Sequence, residues 1–274
     1  MNLKSLGYRT DLIFPSFDGE ILDRGDYLVI QSPTNPTFYW GNYLLFSQSP
    51  REGDYTKWLE LFVQEIGAPP QVEHQTFGWD SPEGEEGEIQ PFLQAGFSLN
   101  RGIVMRSTDL PHPTRPPAQV NVRALMNEAD WAEALDNQVI CRDEAFEETA
   151  YREFQARQMD RYREMAASGL GDWYGAFIDT RLVADLGIFH DGYLGRFQSV
   201  ETHPGFRRRG IAGTLIAEAS RLAKTRYGID ILVIVADEGS GAARLYESLG
   251  FQPVEVQVGL ELRSKIDLQT PDGG

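Results

Sequence analysis

Three consecutive arginines, Arg207, Arg208 and Arg209, lead into Gly210, Ile211 and Ala212 at the head of a helix-spaced segment that runs to Tyr227. Gly210 permits a sharp turn and close backbone approach, and Ala212 keeps the first helical turn narrow. A helix start presents N–H groups that have no acceptor inside the helix, and the arginines add positive charge on forked donors. That combination suits a pyrophosphate, although it also fits an ordinary solvated helix start. Further along, Tyr246 shares helical spacing with Ala242, Leu245 and Leu249. It is either a core ring with its hydroxyl at the rim or a proton donor. Candidates for a general base are Glu201, His203, Asp185 and His190. On an extended strand Glu201 and His203 share one side and Val200 and Thr202 the other, whereas Asp185, on an earlier strand, would have to reach across the sheet.

The elements that must position these groups follow from pattern. Trp173 to Ile178, Ala184 to Phe189 and Arg196 to Thr202 read as strands, the last two separated by a turn at His190-Asp191-Gly192. His203-Pro204-Gly205 ends the third strand and aims the chain into the arginine turn. Ile211 to Tyr227 keeps Leu215, Ile216, Ala219, Leu222 and Ala223 on one face, and Ile231 to Val235 is a continuous apolar run. The order gives an α/β layer with a mixed central sheet flanked by helices, unlike a dinucleotide-binding fingerprint, whose glycine turn follows the first strand of a βαβ unit.

The run from Val200 to Ala212 resembles the acyl-CoA-binding segment of the GCN5-related N-acetyltransferase (GNAT) superfamily, whose pattern is Gln or Arg, two residues, Gly, one residue, Gly or Ala; Arg207, Gly210 and Ala212 match it. Ala242-Ala243-Arg244-Leu245-Tyr246-Glu247-Ser248-Leu249-Gly250-Phe251 resembles the last helix of that superfamily and the turn into its final strands. The resemblance spans Gln119 to Leu262. It implies that backbone amides of Arg207, Arg208, Arg209, Gly210, Ile211 and Ala212 wrap the pyrophosphate of acetyl-CoA or another acyl-CoA. It also implies that the preceding strand splays from the next, so that main-chain groups at Val200 and Thr202 pair with the pantetheine arm. Tyr246 falls where many members place the general acid for the departing thiolate, and an ordinary phenol pKa of about 10 suits that donation. Glu201 lies beside the implied sulfur and is the preferred base. Gly239 and Ala242 complete the cofactor contacts, though Gly239 stands where the superfamily often has Asn. The implied function is acetyl-CoA-dependent N-acetyl transfer to a primary amine in a ternary complex, with a small-molecule amine preferred over a protein amine. The alternative is a non-catalytic acyl-CoA-binding or sensing module.

The first half repeats part of the pattern. Phe92-Leu93-Gln94-Ala95-Gly96-Phe97 followed by Ser98 to Met105 parallels Tyr246 to Phe251 followed by Gln252 to Leu260, and Tyr55 to Ile66 is an apolar-faced helix entered through Ser49 to Asp54. Two tandem copies are expected: an eroded copy over 1–110, a proline-rich linker over 111–117, and the acyl-CoA-binding domain over 118–274. In the first copy Glu52 and Asp54 flank a single Arg51 and would repel a pyrophosphate, and Phe92 has no proton to give. Within the second, a strand over Gln119 to Leu125 precedes helices from Asn127 or Glu128 and from Asp143 to Ala167. The acid-rich Trp79 to Glu88 reads as a mobile, solvated loop.

A net charge of −16 argues against nucleic-acid binding. Positive charge is instead concentrated at Arg207 to Arg209, where it would focus a phosphate-rich cofactor. No apolar run reaches membrane length and the first residues carry no secretory pattern, so a cytoplasmic location without membrane partners is expected. With 4 histidines and 1 cysteine there is neither zinc-like spacing nor a disulfide framework, and no catalytic metal is expected. Cys141 falls in a charged, helix-like stretch with nothing to support a covalent route. The oligomeric state is either a monomer holding an internal pseudo-dimer or a homodimer joined through sheet edges.

Overall fold

The computed structural model describes residues 1–113 and 119–263, so most of the expected linker lies outside the described residues. By packing, the chain divides into two units, Met1–Ile103 together with the chain from Glu255, and Val104–Val254. These bounds differ from the sequence division at 110 and 118. The first unit also claims the end of the last strand, and the second claims the end of a strand that begins in the first.

In the first unit, short helices α1 (Leu6–Asp11) and α2 (Pro15–Asp18) precede strands β1 (Glu20–Asp23), β2 (Tyr27–Gln31) and β3 (Tyr43–Phe46). Helix α3 (Asp54–Glu65), β4 (Gln75–Trp79), α4 (Gln90–Gln94) and β5 (Ser98–Ser107) follow. β1–β2 and β2–β3 are antiparallel, and β3–β4 is parallel. The parallel pair stays closed to its end: Leu44, Leu45 and Phe46 match Phe77, Gly78 and Trp79, and Asp80 N–H then bonds Phe46 C=O at 2.9 Å. Rings fill the space over this pair. Phe46 stacks on Trp58 with centroids 3.8 Å apart, and Phe92 packs against Trp58, Tyr55 and Phe97.

The acid-rich segment from Trp79 is a loop with Glu83, Glu85 and Glu88 exposed, as expected, but its first residues are not solvated. Trp79 is fully buried and its indole donates to Glu85 C=O, while the buried Asp80 carboxylate accepts N–H groups of Lys4 and Ser5. A carboxylate that caps two amides and an indole that needs core volume together hold this stretch against the sheet. The final strand β11 (Gln252–Leu262) closes the unit, pairing Gly259–Leu262 antiparallel with Gly78–Gln75 of β4. Glu255 anchors it by accepting from Ser5 Oγ and from the N–H groups of Leu6 and Gly7.

The second unit has β6 (Asn121–Ala124), α5 (Glu128–Ile140), α6 (Glu148–Ala167), β7 (Gly171–Ile178), β8 (Arg181–His190), β9 (Leu194–Thr202), α7 (Ile211–Tyr227), β10 (Ile231–Asp237) and α8 (Gly241–Ser248). Its strands run in the order β6-β7-β8-β9-β10, with β5 next to β10. The first three junctions are antiparallel and β9–β10 is parallel. The mixed α/β architecture expected from sequence is present, and antiparallel junctions, two in the first unit and three in the second, lead in each to a parallel pair whose strands are joined by a helix. Helix α6 starts later than the expected Asp143. Residues 143–146 close a turn, and the Glu147 side chain caps the helix by accepting from Thr149 and Ala150 N–H. Cys141 is therefore the C-cap of α5, outside α6.

Candidate active site

The site begins with a defect in β9. Asp185 of β8 faces Glu201 and Gly187 faces Gln198, so Ser199 and Val200 oppose one residue, and Ser199 takes φ +45°. Such a bulge bends a strand and re-aims its side chains. On the other side β9 pairs with β10 only from Leu194↔Ile231 to Arg196↔Val233. Among the described residues, the edge of β9 that faces β10 has no strand partner from Phe197 to Thr202, and Gln198–Thr202 are all half-buried in a strand that is otherwise central. Val200 and Thr202 both lie on this stretch.

Beyond β9, His203 N–H bonds Val183 C=O and its ring accepts from Gly205 N–H, which turns the chain. Arg207 Nε donates to Thr202 C=O at 3.0 Å, Arg208 has φ +65°, and Gly210 caps α7 with φ +79°. No side chain caps α7 and no acid lies in its first turn, so the leading N–H groups at Ile211, Ala212 and Gly213 have no acceptor within the helix. All three arginines are exposed and, among the described residues, none forms an ion pair; Arg209 and Arg181 both lie over the Phe206 ring. The turn thus has the shape and charge of an anion cradle.

Tyr246, on α8, is 5% exposed and packs on Phe251. Ser240 caps α8, Gly239 has φ +72° with its carbonyl held by Arg244, and Ala242 is exposed on the first helical turn. Gly250, at φ +100°, lets Phe251 N–H return to Tyr246 C=O at 3.1 Å. Among the described residues the Tyr246 hydroxyl has no hydrogen-bond partner. Burial, and then the charge of Glu201, raise its pKa, so the phenol stays protonated.

Burial raises the Glu201 pKa, against the lowering effects of the neighbouring Cys141 thiol and the charge of Arg207. Cys141 donates to Thr202 C=O at 3.4 Å, and burial raises its thiol to about 12, too high for a ready nucleophile. Tyr151 of α6 is raised to about 12 by burial, with Glu201 and Cys141 adding to the effect. Glu201 thus sits in a cluster with Cys141, Tyr151, Arg207 and Tyr246. Sequence reasoning missed Cys141, whose position in the fold depends on where α5 ends.

The other candidate bases are placed differently. Asp185 is fully buried opposite Glu201, and burial lifts its pKa to about 7 although it accepts three N–H donors, from Asn137, Gln138 and Trp173. It is sealed from any substrate. His190 lies at the opposite end of β8, paired with Gly195. His203 faces Arg181, and desolvation followed by the charges of Arg181 and Arg207 lowers its pKa.

The FR47-like protein family model matches residues 174–258. No curated protein matches the sequence. Among solved structures, a functionally unknown conserved protein from Staphylococcus epidermidis is similar with TM-score 0.71 and 14% identity over 90% of this chain and 95% of that one. A GCN5-related N-acetyltransferase from Kribbella flavida gives TM-score 0.65 at 13% identity over 97% and 100%. A tandem GNAT protein from the clavulanic acid biosynthesis pathway gives 0.52 at 12% over 80% and 74%. The chain has the fold of GCN5-related N-acetyltransferases, and the FR47-like match lies over β7 to β11 of that fold.

Proposed function

We propose that the protein is an acyl-CoA-dependent N-acyltransferase that moves an acetyl group to the primary amine of a small molecule by direct attack in a ternary complex. The observation that carries this reading is the parting of β9 from β10 after Arg196, with an acid-free helix start at its mouth and Tyr246 and Glu201 beside the opened edge. The residues fit the donor by chemistry. Gly210 and the first amides of α7 would hold a pyrophosphate, Arg207 to Arg209 would supply counter-charge, and main-chain groups at Val200 and Thr202 would accept and donate to an extended amide-bearing arm.

In the reaction the amine nitrogen forms a bond to the thioester carbonyl carbon and the C–S bond breaks. Glu201, whose buried carboxylate holds protons more tightly than an exposed one, takes the proton from the amine. Tyr246, kept neutral by burial, donates to the departing sulfur and becomes reprotonated from solvent. The acidic surroundings favour a cationic acceptor, and a cytoplasmic setting would supply the donor. Release of free thiol from acetyl-CoA on addition of each member of an amine panel, against a no-amine control, tests the proposal. Tight acetyl-CoA binding with no thiol release for any amine would favour the sensing module. Gly239 gives that second reading its footing, since it lacks the side-chain amide often found at its position.

A further inference from the structure

The bulge in β9 is held from outside the strand. Ser199 is a non-glycine residue at φ +45°, a conformation that persists only where neighbours fix it. The neighbour is Gln138 in the last turn of α5, whose Nε2 donates both to Ser199 C=O at 3.0 Å and to Asp185 Oδ1 at 2.5 Å. Asp185 is 0% exposed, and all of its side-chain partners are N–H donors: Gln138, Asn137 at 2.7 Å and Trp173 at 3.0 Å. A fully buried carboxylate with three aligned donors, Gln138 and Trp173 on Oδ1 and Asn137 on Oδ2, is a rigid anchor, because any lost donor weakens the solvation of a charge in a place water does not reach. Gln138 therefore has little freedom to release the bulge carbonyl. One helical turn later Cys141 adds a second tie, to Thr202 C=O.

We infer that Gln138, pinned by Asp185, is a positioning residue that sets the bend of β9 and so presets the edge that receives the acyl donor. The inference rests on the proposed function for its ligand but not for its geometry. Asn137 supplies the control: it also donates to Asp185, it makes no bond to β9, and its own Oδ1 has no partner among the described residues.

Gln138→Met and Asn137→Leu each delete one bond to Asp185, and only Gln138→Met frees Ser199. In Gln138→Met, KM for acetyl-CoA should rise about tenfold, the equivalent of one well-placed hydrogen bond, while KM for the amine stays within about twofold. Amide hydrogens of Ser199 to Thr202 should exchange about tenfold faster in the same variant. Asn137→Leu should leave both quantities near those of the unaltered protein. Equal effects in the two variants, or none in Gln138→Met, would overturn the inference. Gln138→Asn, too short to reach both acceptors, is the fallback if the Met variant does not fold, with the same expected direction and the same overturning result. If the unaltered protein binds no acetyl-CoA the proposed function fails, and the exchange measurement alone then decides the clamp.

Discussion

The parallel pairs β3–β4 and β9–β10 occupy the same place in the topology of their units and have been put to opposite uses. β3–β4 is paired to its last residue and extended by Asp80 N–H on Phe46 C=O, whereas β9–β10 separates after Arg196 and Val233. Each is followed by a helix capped by a left-handed glycine, Gly53 at φ +87° and Gly210 at φ +79°. Two residues past these glycines stand Tyr55 and Ala212. Tyr55 sets its ring edge-on to Phe92, while Ala212 offers only a methyl group. One pair is packed over by core rings and the other parts before its end. The lesson is that a glycine turn at a helix start marks the backbone of such a site, and the opening of the adjoining strands decides whether anything can enter.

The largest expected effect comes from making the two glycines answer for themselves. Gly210→Val places a β-branched residue at positive φ and crowds the approach to the first amides, and should lower acetyl-CoA affinity by roughly a hundredfold or more. Gly53→Val carries a similar backbone strain of about 1–3 kcal/mol but should leave that affinity unchanged. Calorimetric titration of both, with far-ultraviolet dichroism to show that each has folded, makes the comparison. Undiminished binding by folded Gly210→Val would remove the turn from the site.

Next in size is Tyr246→Phe, which installs in the second unit the ring that the first already has at Phe92. Saturated turnover should fall roughly 10- to 1,000-fold with little change in acetyl-CoA affinity, read from steady-state kinetics where chemistry limits the rate. A normal rate would reduce Tyr246 to packing.

Glu201→Gln should bring a smaller loss and a change of shape. The carboxylate must be ionised to accept a proton, and its pKa is raised, so activity of the unaltered protein should fall as pH drops through a value above the ordinary carboxylate range near about 4.3. That acid limb of kcat/KM should be missing in Glu201→Gln, and its persistence would assign the base elsewhere. Smallest is Arg207→Ala, expected to weaken acetyl-CoA binding about three- to tenfold because backbone amides remain, with the difference shrinking as salt is added.

Much of this fold was legible because period and punctuation agreed. Ile211 to Tyr227 is helical over the range its spacing gave, and Gly250 and Gly96 end their helices with positive φ as glycine–aromatic pairs should. The turn at Arg207 to Ala212 was legible because a short motif carries backbone geometry, and Gly210 takes the left-handed cap that motif calls for. What escaped was set by tertiary contact. Trp79 to Glu88 has the composition of a loop in water, yet the amides of Lys4 and Ser5, distant in sequence, neutralise its buried acid. Cys141 and Gln138 escaped for a related reason: their roles depend on α5 ending where it does, and the bulge at Ser199 leaves no mark in a strand-like string of residues.

The exchange of strand ends between the halves of the chain bears on how the protein is made. Until Gly259–Leu262 has emerged from the ribosome, β4 lacks the segment that covers its outer edge, so a nascent first unit presents bare N–H and C=O groups beside a largely aromatic core. Completion of the first unit must wait for β11, and a chain stopped before Glu255 should accumulate as aggregate, measurable by sedimentation of the truncated product against the chain that includes β11. Recovery of that truncated chain as a soluble, cooperatively melting species would show that the early half finds another way to close its edge.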